Sequence, residues 1–425
     1  MWSFATEPEF QQQLDWIDVF VKHKVEPLDH ILGSQWNIHD PRFVKLVRPL
    51  QAEVKARGLW ACHLGPELGG KGYGQVKLAL MNELFGRSRF GPIVFGAQAP
   101  DTGNAEILAH YGTPEQKKRF LEPLLNNDIV SCFSMTEPQG GADPLVFTTR
   151  AWQEGDEWVI DGEKWFSSNA RYAAFFIVMA VTDPDAAPYK RMSMFIVPAD
   201  TPGIDIKRNL TFYGEPEATH AYMRYNQVRV PKDAMLGGRG DAFVVAQVRL
   251  GGGRLHHAMR TVAQARRALE MMCERALSRS TKGELLARKQ MVQEKIADSW
   301  VQLRQFRLLV LETAWLCDQN KKDYKAVRKN IAAVKAVMPQ VLHDISARAL
   351  HLHGSLGIST EMPFADWLVN SFHVGLADGP TEVHKITVAR EVLKDFEGTD
   401  KLFPDYHNLA EADRAHDLYD ELLGD

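Results

Sequence analysis

The chain has 425 residues, 45% of them hydrophobic, enough for two or three domains around a sizeable core. Fifty lysines and arginines face 54 aspartates and glutamates, and the net charge of -4 supplies no overall field to gather nucleic acid or an anionic membrane. Cys62, Cys132, Cys273 and Cys317 are too scattered for a zinc site or a disulfide scaffold, which points to a reducing compartment. The first ten residues have neither a basic region nor an apolar core, and no apolar run approaches about eighteen residues, so the expectation is a cytoplasmic protein with no membrane partner. Glu421–Asp425 carries no peroxisomal or prenylation signal.

Over residues 1–127 apolar side chains recur at helical spacing, as in Leu14, Ile17, Phe20 and Val21, then Phe43, Val44, Val47, Leu50 and Val54. A helix start is marked by Thr113-Pro114-Glu115-Gln116, with a capping threonine, a proline suited to the first position and a glutamine completing a capping box. Residues 128–236 change to short β-branched and aromatic runs between Gly, Asp and Pro turns, which predicts an antiparallel β domain. Its strands include Ile129–Phe133, Trp158–Ile160 entering an Asp161-Gly162 turn, Phe175–Val178 and Met194–Val197 ended by Pro198. Over 237–396 the helical period returns in stretches 241–278, 286–318, 324–352 and 381–395, a four-helix bundle pattern. Residues 397–425, with Asp400, Asp405, Glu411, Asp413 and Asp417, form an acidic, weakly periodic extension. The fold class is therefore α+β and multidomain, in the order helical, β, helical.

Most local motifs are uninformative. Gly251-Gly252-Gly253-Arg254 lacks the Gly-Lys-Ser/Thr of a phosphate loop and reads as a flexible N-terminal turn of a bundle helix. His256 and His257, or His351 and His353, are spaced to point to different faces of a helix, so no metal is expected. No HExxH motif or nucleophile elbow occurs. Two segments stand out: Phe133–Asp143, whose glycines permit close backbone approach beside the Thr136 hydroxyl, and Ala377–Val383, where Thr381 can cap the last helix and Asp378 precedes its N-terminus. Read singly, each is a turn with a capping residue.

Together with Pro66–Gly72, Tyr111–Lys117, Thr136-Glu137-Pro138, Gly162–Asn169, Val228–Pro231, Arg279-Ser280-Thr281, His351–Ser355 and Val388-Ala389-Arg390, these segments resemble the acyl-CoA dehydrogenase family over roughly residues 5 to 396. The resemblance implies an N-terminal helical domain, a middle β domain and a C-terminal four-helix bundle, with FAD as cofactor. It implies that Phe133, Met135 and Thr136 line the isoalloxazine, that Phe166 stacks on it and that Ser168 bonds near N5. Pro380, Thr381 and Glu382 match further flavin contacts. Arg279, Thr281, His351, Gly354 and Ser355 match residues that reach the adenosine diphosphate across a subunit interface, so a homotetramer built as a dimer of dimers is implied. Ala142 and Arg254 match positions on the acyl-CoA path; for Arg254 a solvent-exposed place at a helix start is the alternative.

By the same resemblance Asp378 is the base that takes the α-proton of an acyl-CoA while hydride leaves the β-carbon, giving a trans-2-enoyl-CoA, with an electron-transferring flavoprotein as acceptor. A carboxylate in a closed apolar pocket is expected to have a raised proton affinity. Where some relatives carry the base on the first bundle helix, this chain has Gly253. Most relatives have glutamate at position 378. Aspartate there resembles the subgroup acting on long-chain or 4-hydroxyacyl-CoA, 4-phosphoacyl forms included, and the segment Gly214–Pro231 is most similar to it; the other aspartate subgroup contains nitroalkane oxidases. Ala142 and Phe166 depart from the commoner serine and tryptophan. A flavin oxidase and a scaffold that has lost flavin are the alternatives to dehydrogenation.

Overall fold

The helical period of the first region becomes α1 Pro8–Phe20, α2 Pro41–Ala56, α3 Gly74–Phe85, α4 Gly91–Val94, α5 Asp101–Tyr111, α6 Pro114–Gln116 and α7 Glu122–Asn126. The computed structural model describes residues 5–66, 70–211, 219–320, 325–400, 402–404 and 406–424. Glu67, Leu68 and Gly69 of the Pro66–Gly72 motif, residues 212–218 within and beside Gly214–Pro231, and Asp405 of the tail lie outside them. Phe10, Leu14, Ile17 and Phe20 form the buried face of α1, and Phe43, Val47 and Val54 that of α2. Val44 is instead exposed, because it sits beside Phe43 and turns away from the buried stripe. The Thr113 capping box forms, and the Gln116 amide also donates to the main-chain oxygens of Asp233 and Met235 at 2.8 and 3.0 Å, tying α6 to the end of the β region.

The middle region consists of β1 Ser131–Ser134, β2 Arg150–Glu154, β3 Glu157–Ser168, β4 Phe175–Val181, β5 Met192–Pro198, β6 Ile204–Leu210 and β7 His220–Pro231. They form one sheet in the order β1-β4-β2-β3-β7-β6, with β5 on β4. Pairing is antiparallel except that β1 runs parallel to β4 and β2 meets β4 in parallel at Arg150–Val181. Asp161-Gly162 is no turn: β3 runs through it with a register shift, and Gly162 fits because a Cβ there would lie 2.5 Å from Thr149 Cα. A second irregularity between Lys164 and Ser167 puts Phe166 at φ +52° with its ring outward. Beneath this bulge Lys164 Nζ lies 2.9 Å from Glu137 Oε1, with side-chain exposures of 0% and 1%. Burial pushes the Lys164 ammonium down to about 8 against the pull of Glu137. The main-chain amides of Thr148 and Thr149 complete the carboxylate's hydrogen bonds, and Lys164 also donates to Met135 O at 2.8 Å.

The last region comprises α8 Ala242–Ser278, a hairpin of β8 Ser280–Thr281 and β9 Glu284–Leu285, α9 Gln290–Gln319, α10 Arg328–His353, α11 Ser355–Ile358, α12 Phe364–Leu376, α13 Thr381–Leu393 and α14 Asn408–Leu423. The expected helices are present, and α12, 13 residues long and rich in apolar side chains, is additional. Glycines 251–253 lie well inside α8 rather than in its first turn. The acidic tail carries α14, whose described side chains are exposed. A continuous apolar core joins α1–α3 to α8–α10, and a second joins α5 and the start of α8 to β4 and β5. Among the described residues no helix is long and apolar enough to cross a membrane.

Changing Glu137 to Gln strands the Lys164 ammonium in the sheet, and removing one partner of such a pair costs about 3–5 kcal/mol. The expected result is a lowered urea midpoint; an unchanged midpoint would show that the pair is not needed to hold β3 against the Met135–Glu137 turn.

Candidate active site

One face of α8 carries Arg249, Gly253, His257 and Arg260, at spacings that return to the same side of a helix. That face meets the loop joining α12 to α13, where Asp378 has φ +56°, a left-handed backbone that aspartate tolerates better than most residues. Asp378's main-chain oxygen accepts from Arg254 Nε at 2.9 Å and from His384 Nε2 at 3.2 Å. Lys335 of α10, itself buried, donates to the oxygens of Val374 at 2.6 Å and Gly379 at 3.1 Å. Position 379 requires glycine, because its φ is +103° and a Cβ would lie 3.0 Å from His384 Nε2. The carboxylate points at α8: a Cβ on Gly253 would stand 3.0 Å from Asp378 Oδ2, and His257 Nε2 lies 3.8 Å away.

Arg254 thus sits inside α8, partly buried, and clamps the loop; it is no solvent-exposed residue at a helix start. Thr381 does not cap α13. Its hydroxyl donates back to Gly375 O at 3.2 Å, since Pro380 occupies the cap position and Thr381 the first helical one.

Burial alone would raise the proton affinity of Asp378, but His257, Arg249, Arg254 and Lys335 pull the other way and leave it below the ordinary 3.8. Burial and the nearby Arg260 push His257 down to about 3, so it is neutral at pH 7, and the three cations are what stabilise the carboxylate. The surroundings of Asp378 are therefore charged as well as buried, and in the free site its carboxylate is held ionised among cations. Burial lowers Lys335 to about 8 despite Asp378, and lowers His384 to about 4. Glu106 of α5, beside Gly252, is raised by burial to about 7 against the pull of Arg249.

Phe133 joins the β domain to this centre, because the Arg249 guanidinium lies 3.9 Å from its ring centroid. Met135 and Thr136 follow in the turn held by Lys164, and Thr136 O accepts from Trp165 N at 2.8 Å. Phe166 is 41% exposed with its ring 5.3 Å from Trp165 and 6.2 Å from His220. Ser168 Oγ lies 2.8 Å from His220 Nδ1, and the His220 ring meets His373 of α12 at 6.0 Å. Pro380 and Thr381 are half-buried, and Glu382 is exposed within electrostatic reach of Lys335. By contrast Arg279 and Thr281 at the β8 hairpin, His351 at the end of α10, Gly354 and Ser355 are exposed on the bundle, and Ala142 is exposed ahead of the Pro144–Val146 turn.

The exposed Phe166 ring and the Ser168 hydroxyl both lie against His220, and Gly141, where a Cβ would meet only Thr136 Cγ2 at 3.4 Å, leaves open surface beside Thr136. Such a surface fits an isoalloxazine. Among the described residues no group of three His, Cys, Asp or Glu is placed to hold a metal ion. Sequence reasoning missed Arg249, His257, Arg260, Lys335, His384 and His220. The four-residue rhythm through Gly253 was the available signal for the α8 set; the others depend on how separate elements pack.

A helical domain, a β domain whose bulge presents the Phe166 ring and the Ser168 hydroxyl, and a bundle holding a buried, ionised aspartate are the frame of an oxidoreductase that uses a flavin. The chain matches the acyl-CoA dehydrogenase N-terminal, middle and C-terminal domains over residues 7–128, 132–228 and 240–393, and it belongs to the acyl-CoA dehydrogenase family, whose cofactor is FAD. It is 37% identical over 396 residues to probable acyl-CoA dehydrogenase FadE2 of Mycobacterium tuberculosis, covering 92% of this chain and 93% of that protein. It is 39% identical to acyl-CoA dehydrogenase family member 11 of Gallus gallus, covering 91% of this chain but only 50% of that longer protein, and spans 36% of family member 10 of Mus musculus. A putative acyl-CoA dehydrogenase from Mycobacterium abscessus superposes with a TM-score of 0.84 at 38% identity, over 93% of this chain and 100% of that one.

Since Asp378 is held below 3.8, kcat/KM is expected to show no acid limb from this carboxylate at or above that pH. Lys335→Met removes one opposing cation, leaves burial less opposed and moves the limb to higher pH. Profiles of kcat/KM for both proteins check this; coincident acid limbs would mean that Lys335 does not act on the base.

Proposed function

We propose that this chain is an FAD-dependent acyl-CoA dehydrogenase that converts an acyl-CoA thioester to its trans-2-enoyl-CoA and passes the electrons to an electron-transferring flavoprotein, in the cytoplasm. The observation that carries this reading is Asp378, ionised, with its backbone held by Arg254 and His384 and its carboxylate aimed at the space that Gly253 leaves open. FAD, when bound, supplies the hydride acceptor. Phe133, Met135, Thr136, Phe166, Ser168, Pro380, Thr381 and Glu382 are the residues of one chain that would hold it. Arg279, Thr281, His351, Gly354 and Ser355 would complete its site from a partner copy, in a homotetramer. Support for that assembly is the bare apolar surface of the bundle, with Trp300 and Trp315 on α9 and Phe372 and Leu376 on α12 all exposed.

Asp378 Oδ2 takes the α-proton. An acyl chain filling the notch at Gly253 displaces water, which strengthens the effect of burial and raises the carboxylate's proton affinity at the moment a base is needed. As the proton leaves, charge develops on the thioester oxygen; the Asp378 amide and a flavin ribose hydroxyl are the donors that the family resemblance implies.

The aspartate-base subgroup acting on long-chain or 4-hydroxyacyl-CoA, 4-phosphoacyl forms included, is the substrate class we favour. Arg249 supports it: its Nε donates to Asn104 Oδ1 at 2.8 Å, and Gly103 makes room, since a Cβ there would lie 2.8 Å from Arg249 Cγ. Among the described residues neither Arg249 nor Arg260 has a carboxylate within 4.0 Å. A deep guanidinium that feels nearby carboxylates but has none in direct contact matches a polar or anionic chain substituent better than plain hydrocarbon.

The test is an anaerobic visible spectrum of the purified protein during addition of acyl-CoAs of graded length, with 4-hydroxy and 4-phosphoacyl forms included. Bleaching by one subset is expected; a flavin band bleached only by a nitroalkane, with peroxide formed in air, would establish the oxidase instead, and a protein that takes up no flavin would be the scaffold. Asp378→Asn should keep the flavin and lose the bleaching. Arg249→Leu should cost the 4-phosphoacyl substrate roughly 10- to 100-fold in kcat/KM, the worth of a charged hydrogen bond, with less effect on an unsubstituted chain; equal losses on both would remove Arg249 from substrate recognition. Arg279→Ala should lose FAD on dialysis, and full flavin content afterwards would exclude its role at the pyrophosphate.

A further inference from the structure

Ser168 and His220 are direct cross-strand partners, Cα opposite Cα where β3 pairs with β7. Their side chains share one face, with Oγ 2.8 Å from Nδ1, and His220 is 5% exposed. The bulge between Lys164 and Ser167 fixes which face this is: Ser167 turns inward to bond Ser134 Oγ at 3.0 Å, and Ser168 turns out beside the Phe166 ring. The sheet thus sets the hydroxyl's place, and His220 is the side chain that engages it.

A serine hydroxyl has one proton and two lone pairs, and a hydrogen bond to imidazole commits part of that set. If Nδ1 is bare, the Ser168 proton points to His220 and the hydroxyl offers the flavin surface an acceptor. If Nδ1 carries the proton, Oγ accepts from it and the hydroxyl offers a donor. Flavin N5 accepts a hydrogen bond when oxidised and donates one as N5–H when reduced, so a hydroxyl held in one orientation favours one redox state over the other.

We propose that His220 is a positioning residue that orients the Ser168 hydroxyl and thereby biases the redox equilibrium of the flavin. The inference rests on the reading of Phe166 and Ser168 as the flavin surface. The pairing also places His220 between that surface and the helix leading to the base, through its ring contact with His373.

The test uses the FAD-loaded protein and measures the two-electron midpoint potential by dye equilibration at one pH in the wild type, His220→Phe, His220→Asn, Ser168→Ala and the double variant Ser168→Ala/His220→Phe. His220→Phe should change the reduced-to-oxidised ratio about tenfold, about 30 mV for a two-electron couple. His220→Asn, which retains a polar atom near the place of Nδ1, should recover most of the wild-type value. The double variant should match Ser168→Ala alone, because His220 acts only through the hydroxyl. An unchanged potential in His220→Phe, or additive shifts in the double variant, would overturn the proposal. Failure of the wild type to hold FAD would instead refute the flavin surface itself, so the two failures are distinguishable.

Discussion

The candidate site depends on how the chain between α12 and α13 is held. An exposed aspartate in such a loop would sample many directions, and its left-handed backbone would be disfavoured by roughly 1–3 kcal/mol. Here three buried or half-buried donors fix the loop: Arg254 and His384 on the oxygen of Asp378, and Lys335 on those of Val374 and Gly379. They come from α8, α13 and α10, so assembling the bundle is what aims the carboxylate. Among the described residues these donors bond main-chain oxygens, and the carboxylate of Asp378 faces α8.

Arg249, Arg254 and Lys335 create an electrostatic asymmetry around that carboxylate. They hold Asp378 ionised in the free site, whereas abstraction of a proton from carbon is favoured by a stronger base. The two demands fit if the site differs before and after substrate enters. Open and wet, it keeps the carboxylate charged; filled, it loses the water that moderates the effect of burial. Glycine at 253 keeps the space in front of the carboxylate open, since a Cβ there would stand 3.0 Å from Oδ2. Gly252 and Gly103 repeat the device beside Glu106 and Arg249, so small residues on α5 and α8 define the volume and charged side chains define its polarity.

Much of the fold was legible in the sequence because each region has its own period. The capping box at Thr113 and the strand ended by Pro198 were readable from single residues whose backbone constraints are local. The parallel pairing of β1 with β4 was not, since pairing partners more than forty residues apart leave no local mark. The Asp161-Gly162 dipeptide misled for a related reason: glycine serves a turn and a close strand approach equally well, and only the neighbouring Thr149 decides between them. At the site, Asp378 was found through motif resemblance, while its cationic surroundings were not. Lysine at 335 and arginine at 249 read as ordinary helix residues until packing turns them inward, so the cations around Asp378 leave no mark in the sequence.

Apart from Pro380, Thr381 and Glu382, which follow Asp378 directly, the predicted flavin residues divide into two groups by what they touch. Phe133, Met135, Thr136, Phe166 and Ser168 are linked to the centre by short contacts through Arg249, Lys164 and His220. Arg279, Thr281, His351, Gly354 and Ser355 are exposed, and a Cβ at Gly354 would meet no atom within 4 Å. An exposed arginine between the end of α8 and a two-residue strand contributes little to the stability of a lone subunit. Its worth would come from a ligand or chain brought against it, and the bare apolar flank of α9 offers the kind of surface on which a second copy packs. The acidic helix α14 lies beyond residue 393, where the family match ends, and its described side chains are exposed.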